Sequence, residues 1–235
     1  MLTRSLLAAF LILVIPITDP WTTRWLKRST DPAKKVKAYA STVVLLWLAS
    51  FAVWSSERPG FLYRARYGDI VKGLTGNSFV IGCAIGVIAA LLVQAALIRK
   101  KPKLAAAAKK QMKKFDFFLP FTARERAWFA VVSVTAGICE ETLYRGFLFH
   151  YFRDVWHLGL LLAVVASSVV FGLAHGYQGI SGIVGTGVIG GVLALIYLAA
   201  GSLLAPMIFH ALIDLRILIF PVPDAGPEPL PVVAE

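Results

Sequence analysis

Apolar runs close to the thickness of a bilayer recur along this chain, and no other feature limits its fold so strongly. Tyr39 to Ser55, Ser78 to Ile98, Ile180 to Ala200 and Leu203 to Phe220 are the clearest, each near the roughly 20 residues that carry a helix across the hydrocarbon core. Leu158 to Ala174 is shorter, and the stretch from Trp128 to Phe152 is apolar apart from a few charges. In hydrocarbon every backbone N–H and C=O must be satisfied within the protein, so runs of this length become helices. Leu6 to Ile17 is short and runs into Pro16 and Pro20. With no small-x-small cleavage site after it, it reads as a short first helix rather than a signal peptide. The expectation is an all-α, polytopic transmembrane bundle of about seven spans, with its polar site among the last four. A hydrophobic content of 58%, against about 45–50% in soluble domains, agrees.

The formal net charge of +11 would point to nucleic acid in a soluble protein. Here the basic residues gather between the apolar runs, which gives them another meaning. Arg24, Lys27, Arg28, Lys34, Lys35 and Lys37 fill the first connection, and Arg99, Lys100, Lys101, Lys103, Lys109, Lys110, Lys113 and Lys114 the third. The second, with Arg58, Arg64, Arg66 and Lys72, is more weakly basic. The positive-inside rule makes the first and third cytoplasmic, with the N-terminus outside if the first segment crosses and cytoplasmic if it does not. These cations are expected to be solvated and to attract anionic lipid headgroups, so membrane lipids are partners and nucleic acid is not.

Residues 1–220 read as one membrane domain, without internal repeats or inverted halves. Lys103 to Phe118 mixes lysine pairs with alanine, leucine and phenylalanine, as a segment lying at the interface does. Thr122 with Glu125 three residues on has the pattern of a capping box and opens the helix that follows. Glycines are dense from Gly172 to Gly191, which permits close helix contact. The tail 221–235, with five prolines and three acidic residues, reads as disordered. Cys83 and Cys139 form neither a zinc framework nor a disulfide scaffold, and Cys139, beside Glu140, is read as a small buried hydrophobe rather than a nucleophile.

Charge inside the apolar runs is the second constraint. Burying an ionised carboxylate without a partner costs at least several kcal/mol, so such groups pair, face water or do chemistry. Glu141 and Arg145 are i and i+4, the favourable order on a helix, and can form a bidentate pair. Glu140 points about 100° away around the helix and is the carboxylate left over. His210 and Asp214 again share a helix face, with Pro206 before them expected to open the last helix toward a cavity. His175 closes another span. One carboxylate and two imidazoles can activate water and stabilise an oxyanion. Glu140, His175 and His210 can equally hold zinc with an open fourth position, and no HExxH signature decides between these.

Three motifs in order carry a resemblance to the CPBP family of membrane proteases, the CAAX prenyl endopeptidases and bacteriocin-processing or immunity proteins also called Abi. Glu140-Glu141-Thr142-Leu143-Tyr144-Arg145 resembles the family's EExxxR, Phe171 to His175 its FxxxH, and His210 to Asp214 its Hxxx(N/D). The similarity spans residues 119–220. It implies that Glu140 and His175 activate the attacking water, that His210 and Asp214 stabilise the oxyanion, and that Glu141 and Arg145 hold the helix. It implies a peptide or protein substrate, with or without a lipid, and a multi-pass protein of the bacterial cytoplasmic membrane. Asp214 stands where the prenyl endopeptidases have Asn. An ionised Asp only accepts hydrogen bonds, so Asp214 is protonated, orients His210 or helps hold a metal. These residues fix no cofactor, and zinc stays open. The leading function is an intramembrane endopeptidase, metal-independent or metalloprotease. The alternatives are a non-catalytic partner or immunity protein, for which Glu140 has little use, and a proton-coupled transporter, for which repeat symmetry is missing.

Overall fold

The computed structural model describes residues 2–56 and 115–218, with scattered positions between 82 and 106. The expected span Ser78–Ile98 is described only at scattered helical positions, and the second basic connection, much of the third, and the tail from Pro221 lie outside the described residues. Among the described residues all regular structure is helical.

Helix α1 (Leu2–Arg28) is 27 residues long, so Pro16 and Pro20 do not stop it, contrary to the expectation of a short first helix. A π-helical stretch, Phe10–Val14, precedes Pro16, and Ile15 N–H reaches back five residues to Phe10 O. The Thr18 hydroxyl donates to the Val14 and Ile15 carbonyls at 2.9 and 3.1 Å. Such local adjustments are how membrane helices accommodate proline. Helix α2 (Lys34–Ser56) contains the expected Tyr39–Ser55 run. The first connection is therefore short, with Arg24, Lys27 and Arg28 in the last turns of α1 and Lys34, Lys35 and Lys37 in the first turns of α2. Lys35 departs from the solvated reading. It is buried, donates from Nζ to Leu119 O at 2.6 Å and lies 4.0 Å over the Phe121 ring. The Tyr39 hydroxyl donates to Phe118 O, and these two bonds fasten the segment before α3 to α2.

Thr122 caps α3 (Ala123–Glu141) with both halves of the capping box present, its Oγ1 accepting from Glu125 N–H and the Glu125 carboxylate accepting from Thr122 N–H. Helical backbone then continues without a break through a π-helical stretch, Thr142–Leu148, into α4 (Phe149–Asp154). Every residue of that π stretch is buried. Tyr144, Phe147, Leu148, Phe149 and Phe152 form the centre of the largest apolar cluster, with Phe171, Tyr197 and Leu203 around them.

Helices α5 (Leu160–Leu173), α6 (Gly179–Ala200) and α7 (Leu204–Leu215) complete the described bundle. Its close approaches are made at glycines. A Cβ on Gly172 would come within 2.5 Å of Ile183 O, fixing the α5–α6 crossing, and one on Gly137 within 2.8 Å of Met207 O, fixing α3 against α7. Gly201, at φ +63°, ends α6 in the left-handed conformation that suits glycine. Pro206 acts differently from expectation. It lies in the first turn of α7, where its missing N–H has no helical partner to lose, so it starts the helix instead of opening it.

Three helices, Leu2–Arg28, Lys34–Ser56 and Gly176–Ala200, are long and apolar enough to cross a membrane. Their outward faces carry exposed Leu45, Leu48, Phe51, Val184, Val188, Val192 and Leu195, and the apolar exterior is what a lipid-facing surface requires. With 14 and 12 residues, α5 and α7 cover about 21 and 18 Å, short of the ~30 Å core. The end of α5 brings His175, and the second half of α7 brings His210 and Asp214, to the charged end of α3.

Candidate functional site

Two adjacent residues at the end of α3 point into different surroundings. Glu141 is fully buried, and its Oε1 accepts from Arg145 Nη1 at 2.8 Å and from His210 Nδ1 at 2.8 Å. Arg145 makes one bond to Glu141 and not the expected bidentate pair, because its Nη2 is taken by Gly190 O at 2.8 Å. The guanidinium also lies 4.4 Å over the Phe171 ring. Glycine is needed at 190, since a Cβ there would stand 3.0 Å from Arg145 Nη2 and 2.9 Å from Phe171 Cδ1. The π stretch that carries Arg145 replaces four-residue backbone bonds with five-residue ones, Phe149 N–H reaching Tyr144 O. Such bulges are rare and are found often at functional sites.

Glu140 faces the other way. Its Oε2 is 3.9 Å from His175 Nε2 and 3.8 Å from His210 Nε2, and it makes no hydrogen bond among the described residues despite its burial. Asp214 Oδ2 is 3.7 Å from His210 Nε2 and its side chain is the most exposed of the group at 36%. Each of these separations exceeds a hydrogen bond.

The ring orientations follow from partners that can only accept. His175 Nδ1 lies 2.8 Å from Phe171 O and His210 Nδ1 lies 2.8 Å from the Glu141 carboxylate. In both rings Nδ1 is therefore the protonated nitrogen, and both Nε2 atoms face Glu140. All six residues singled out in the sequence, Glu140, Glu141, Arg145, His175, His210 and Asp214, thus lie in one connected set. The bond between Glu141 and His210, 69 residues apart, had no signal in the sequence, and neither did the Gly190 carbonyl under Arg145. Buried His150, which meets the Tyr197 hydroxyl at 2.8 Å, was also missed; its one trace is a histidine inside the apolar run Phe147 to Phe152.

Zinc at Glu140, His175 and His210 was open on sequence. Bonds of about 2.0–2.1 Å at tetrahedral angles would set ligand atoms about 3.4 Å apart, closer than the 3.8 and 3.9 Å found. Among the described residues no group of three or more His, Cys, Asp or Glu is arranged to hold a metal ion. What the arrangement can do is place a small polar molecule between a carboxylate oxygen and two imidazole nitrogens.

No curated protein and no solved structure matches the chain. A family model does. Described as type II CAAX prenyl endopeptidase Rce1-like, it matches residues 122–216, from the capping threonine of α3 to the end of α7, with all three motifs inside. Over this segment, residues 122–216, the chain is similar to the Rce1-like family.

Proposed function

We propose that the protein is a CAAX-protease-like intramembrane endopeptidase that hydrolyses a peptide bond with a water activated by Glu140 and His175. The observation that carries the reading is the buried, unbonded Glu140 Oε2 facing two imidazole Nε2 atoms at 3.8–3.9 Å. A carboxylate held so, next to rings whose orientation is fixed elsewhere, is the arrangement that general-base catalysis uses.

The steps follow from the atoms. A water between Glu140 Oε2 and His175 Nε2 gives a proton to Glu140 as its oxygen attacks the substrate carbonyl carbon. The carbonyl oxygen becomes an oxyanion. Glu140 then delivers the proton to the leaving nitrogen as the C–N bond breaks. His210 can stabilise the oxyanion by donating from Nε2, and because Nδ1–H is already committed to Glu141 the ring must carry both protons to do so. Asp214 and Glu140 are the negative groups facing that Nε2. The reading leaves Asp214 free of an obligation to donate, which answers its standing where the family has Asn. Glu141 and Arg145 act as the frame.

The protein in this reading is multi-pass, with about seven spans in one domain over residues 1–220 and the family core at 119–220, in the bacterial cytoplasmic membrane. Its substrate is a peptide or protein, with or without an attached lipid. The test compares peptide termini in membrane fractions of cells carrying wild type or Glu140→Gln at equal expression. New termini that depend on Glu140 would identify substrate and cut site together. Equal termini, with both proteins folded, would overturn the assignment in favour of a non-catalytic membrane partner.

A further inference from the structure

The last turns of α1 carry a charged surface that the catalytic reading does not use. Arg24, Trp25, Arg28, Ser29 and Thr30 line an open pocket of about 470 Å³. Arg24 and Arg28 are exposed, and neither makes a hydrogen bond or ion pair among the described residues. The acid nearest in sequence, Asp31, is occupied, accepting from Lys37 Nζ at 2.6 Å and from Ala33 N–H at 2.8 Å. The hydrogen bond from Lys37 holds the Asp31 carboxyl below its ordinary range, so it stays charged and paired. Two guanidiniums and two hydroxyls therefore open to one space, with no acid among the described residues bonded to either arginine.

The same face of α1 continues as apolar surface. At 100° per residue Ile17, Trp21, Arg24 and Arg28 fall within about 60° of one another around the helix. Ile17 and Trp21 are exposed at 64% and 72%, and Trp25, at the pocket edge, is exposed too. Apolar side chains, then tryptophan, then arginine is the order met on passing from hydrocarbon through the interface to the headgroups. Guanidinium forks bind phosphate in pairs of parallel hydrogen bonds. α1 also packs against the Gly176–Gln178 turn, the residues directly after His175.

We infer that the Arg24–Arg28 pocket is a binding site for an anionic phospholipid, its headgroup phosphate held by the two guanidiniums with Ser29 and Thr30 and its chains lying along Ile17 and Trp21. Charge complementarity selects the headgroup, and continuity of the pocket with the lipid-facing stripe selects a lipid over a soluble anion. Because α1 abuts the turn after His175, an occupied pocket braces one wall of the site. The inference rests on the membrane setting and not on the proteolytic reading.

The test uses the full chain in nanodiscs of phosphatidylcholine with a minor fraction of brominated lipid, either phosphatidylglycerol or phosphatidylcholine, with tryptophan fluorescence as the readout. Brominated phosphatidylglycerol should quench wild type severalfold more than the brominated neutral lipid at equal fraction. The double variant Arg24→Gln/Arg28→Gln should lose that preference, while Lys100→Gln/Lys101→Gln, which removes the same charge elsewhere, should keep it. Unchanged circular dichroism in both variants excludes misfolding as the cause. Equal loss in the two variants would show diffuse attraction to a basic surface and overturn the site. Relief of the quenching by millimolar inorganic phosphate would show a soluble-anion site and overturn the lipid assignment.

Discussion

Glu140 and Glu141 are neighbours in sequence with opposite surroundings. Around Glu141 the contacts are short: 2.8 Å to Arg145, 2.8 Å to His210, and 2.8 Å from Arg145 onward to Gly190. Around Glu140 the separations are 3.8 and 3.9 Å, with Asp214 at 3.7 Å from the same His210 nitrogen. Side-chain exposure follows, 0% for Glu141 against 15% for Glu140. Three hydrogen bonds offset the cost of buried charge around Glu141, although its Oε2 and Arg145 Nε have no partner among the described residues, whereas a set of polar atoms held about one ångström too far apart leaves room for a reactant. The first region is built to stay as it is and the second to admit something.

The largest effect should fall on the open side. Glu140→Gln keeps shape and removes the proposed base, so turnover should fall by about 10²–10⁴-fold, while the thermal midpoint in detergent stays within a degree or two of wild type. On the closed side the order of effects should reverse. Arg145→Ala strands the Glu141 charge in a buried site, a change that costs about 3–5 kcal/mol and should appear as a lower midpoint and a smaller folded fraction by size-exclusion chromatography. Gly190→Ala tests the same region through packing alone. The added methyl meets Phe171 and Arg145, and overpacking of this kind costs about 1–3 kcal/mol. Asp214→Asn should have the smallest effect. Its partner distance is long and its side chain partly exposed, so turnover should change by less than about 1 kcal/mol, roughly fivefold, in a cleavage assay at fixed protein. A drop comparable to that of Glu140→Gln would place Asp214 at the reaction centre.

Much of this contrast has a local origin and is legible in the residues. The Thr122–Glu125 box fixes where α3 begins, and the spacing of Glu141 with Arg145 and of His210 with Asp214 already puts each pair on one face. The dense glycines announce close helix crossings, which Gly172 and Gly190 make. What could not be read is tertiary. Which oxygen of which glutamate His210 meets depends on the crossing of α3 and α7. The second arginine contact depends on the Gly190 carbonyl being turned inward. The π stretch Thr142–Leu148 has no propensity signature, since it is a register adjustment set by packing around Tyr144 and Phe147. Proline misled in both directions for a similar reason. Pro16 and Pro20 sit inside a continuous helix behind a π stretch, and Pro206 in a first turn where it disturbs nothing. Lys35 misled too, because a lysine near a helix start gives no hint that a carbonyl 84 residues away will take its ammonium.

The account stands most directly on the two glutamates compared in one preparation. Glu140→Gln and Glu141→Gln, reconstituted side by side, would be followed for thermal unfolding and for release of new peptide termini from membrane protein. The expected result is a split: Glu140→Gln unfolds with wild type and releases no termini, and Glu141→Gln unfolds several degrees earlier. Cleavage at the wild-type rate by folded Glu140→Gln, or an equal loss of stability in both variants, would contradict it.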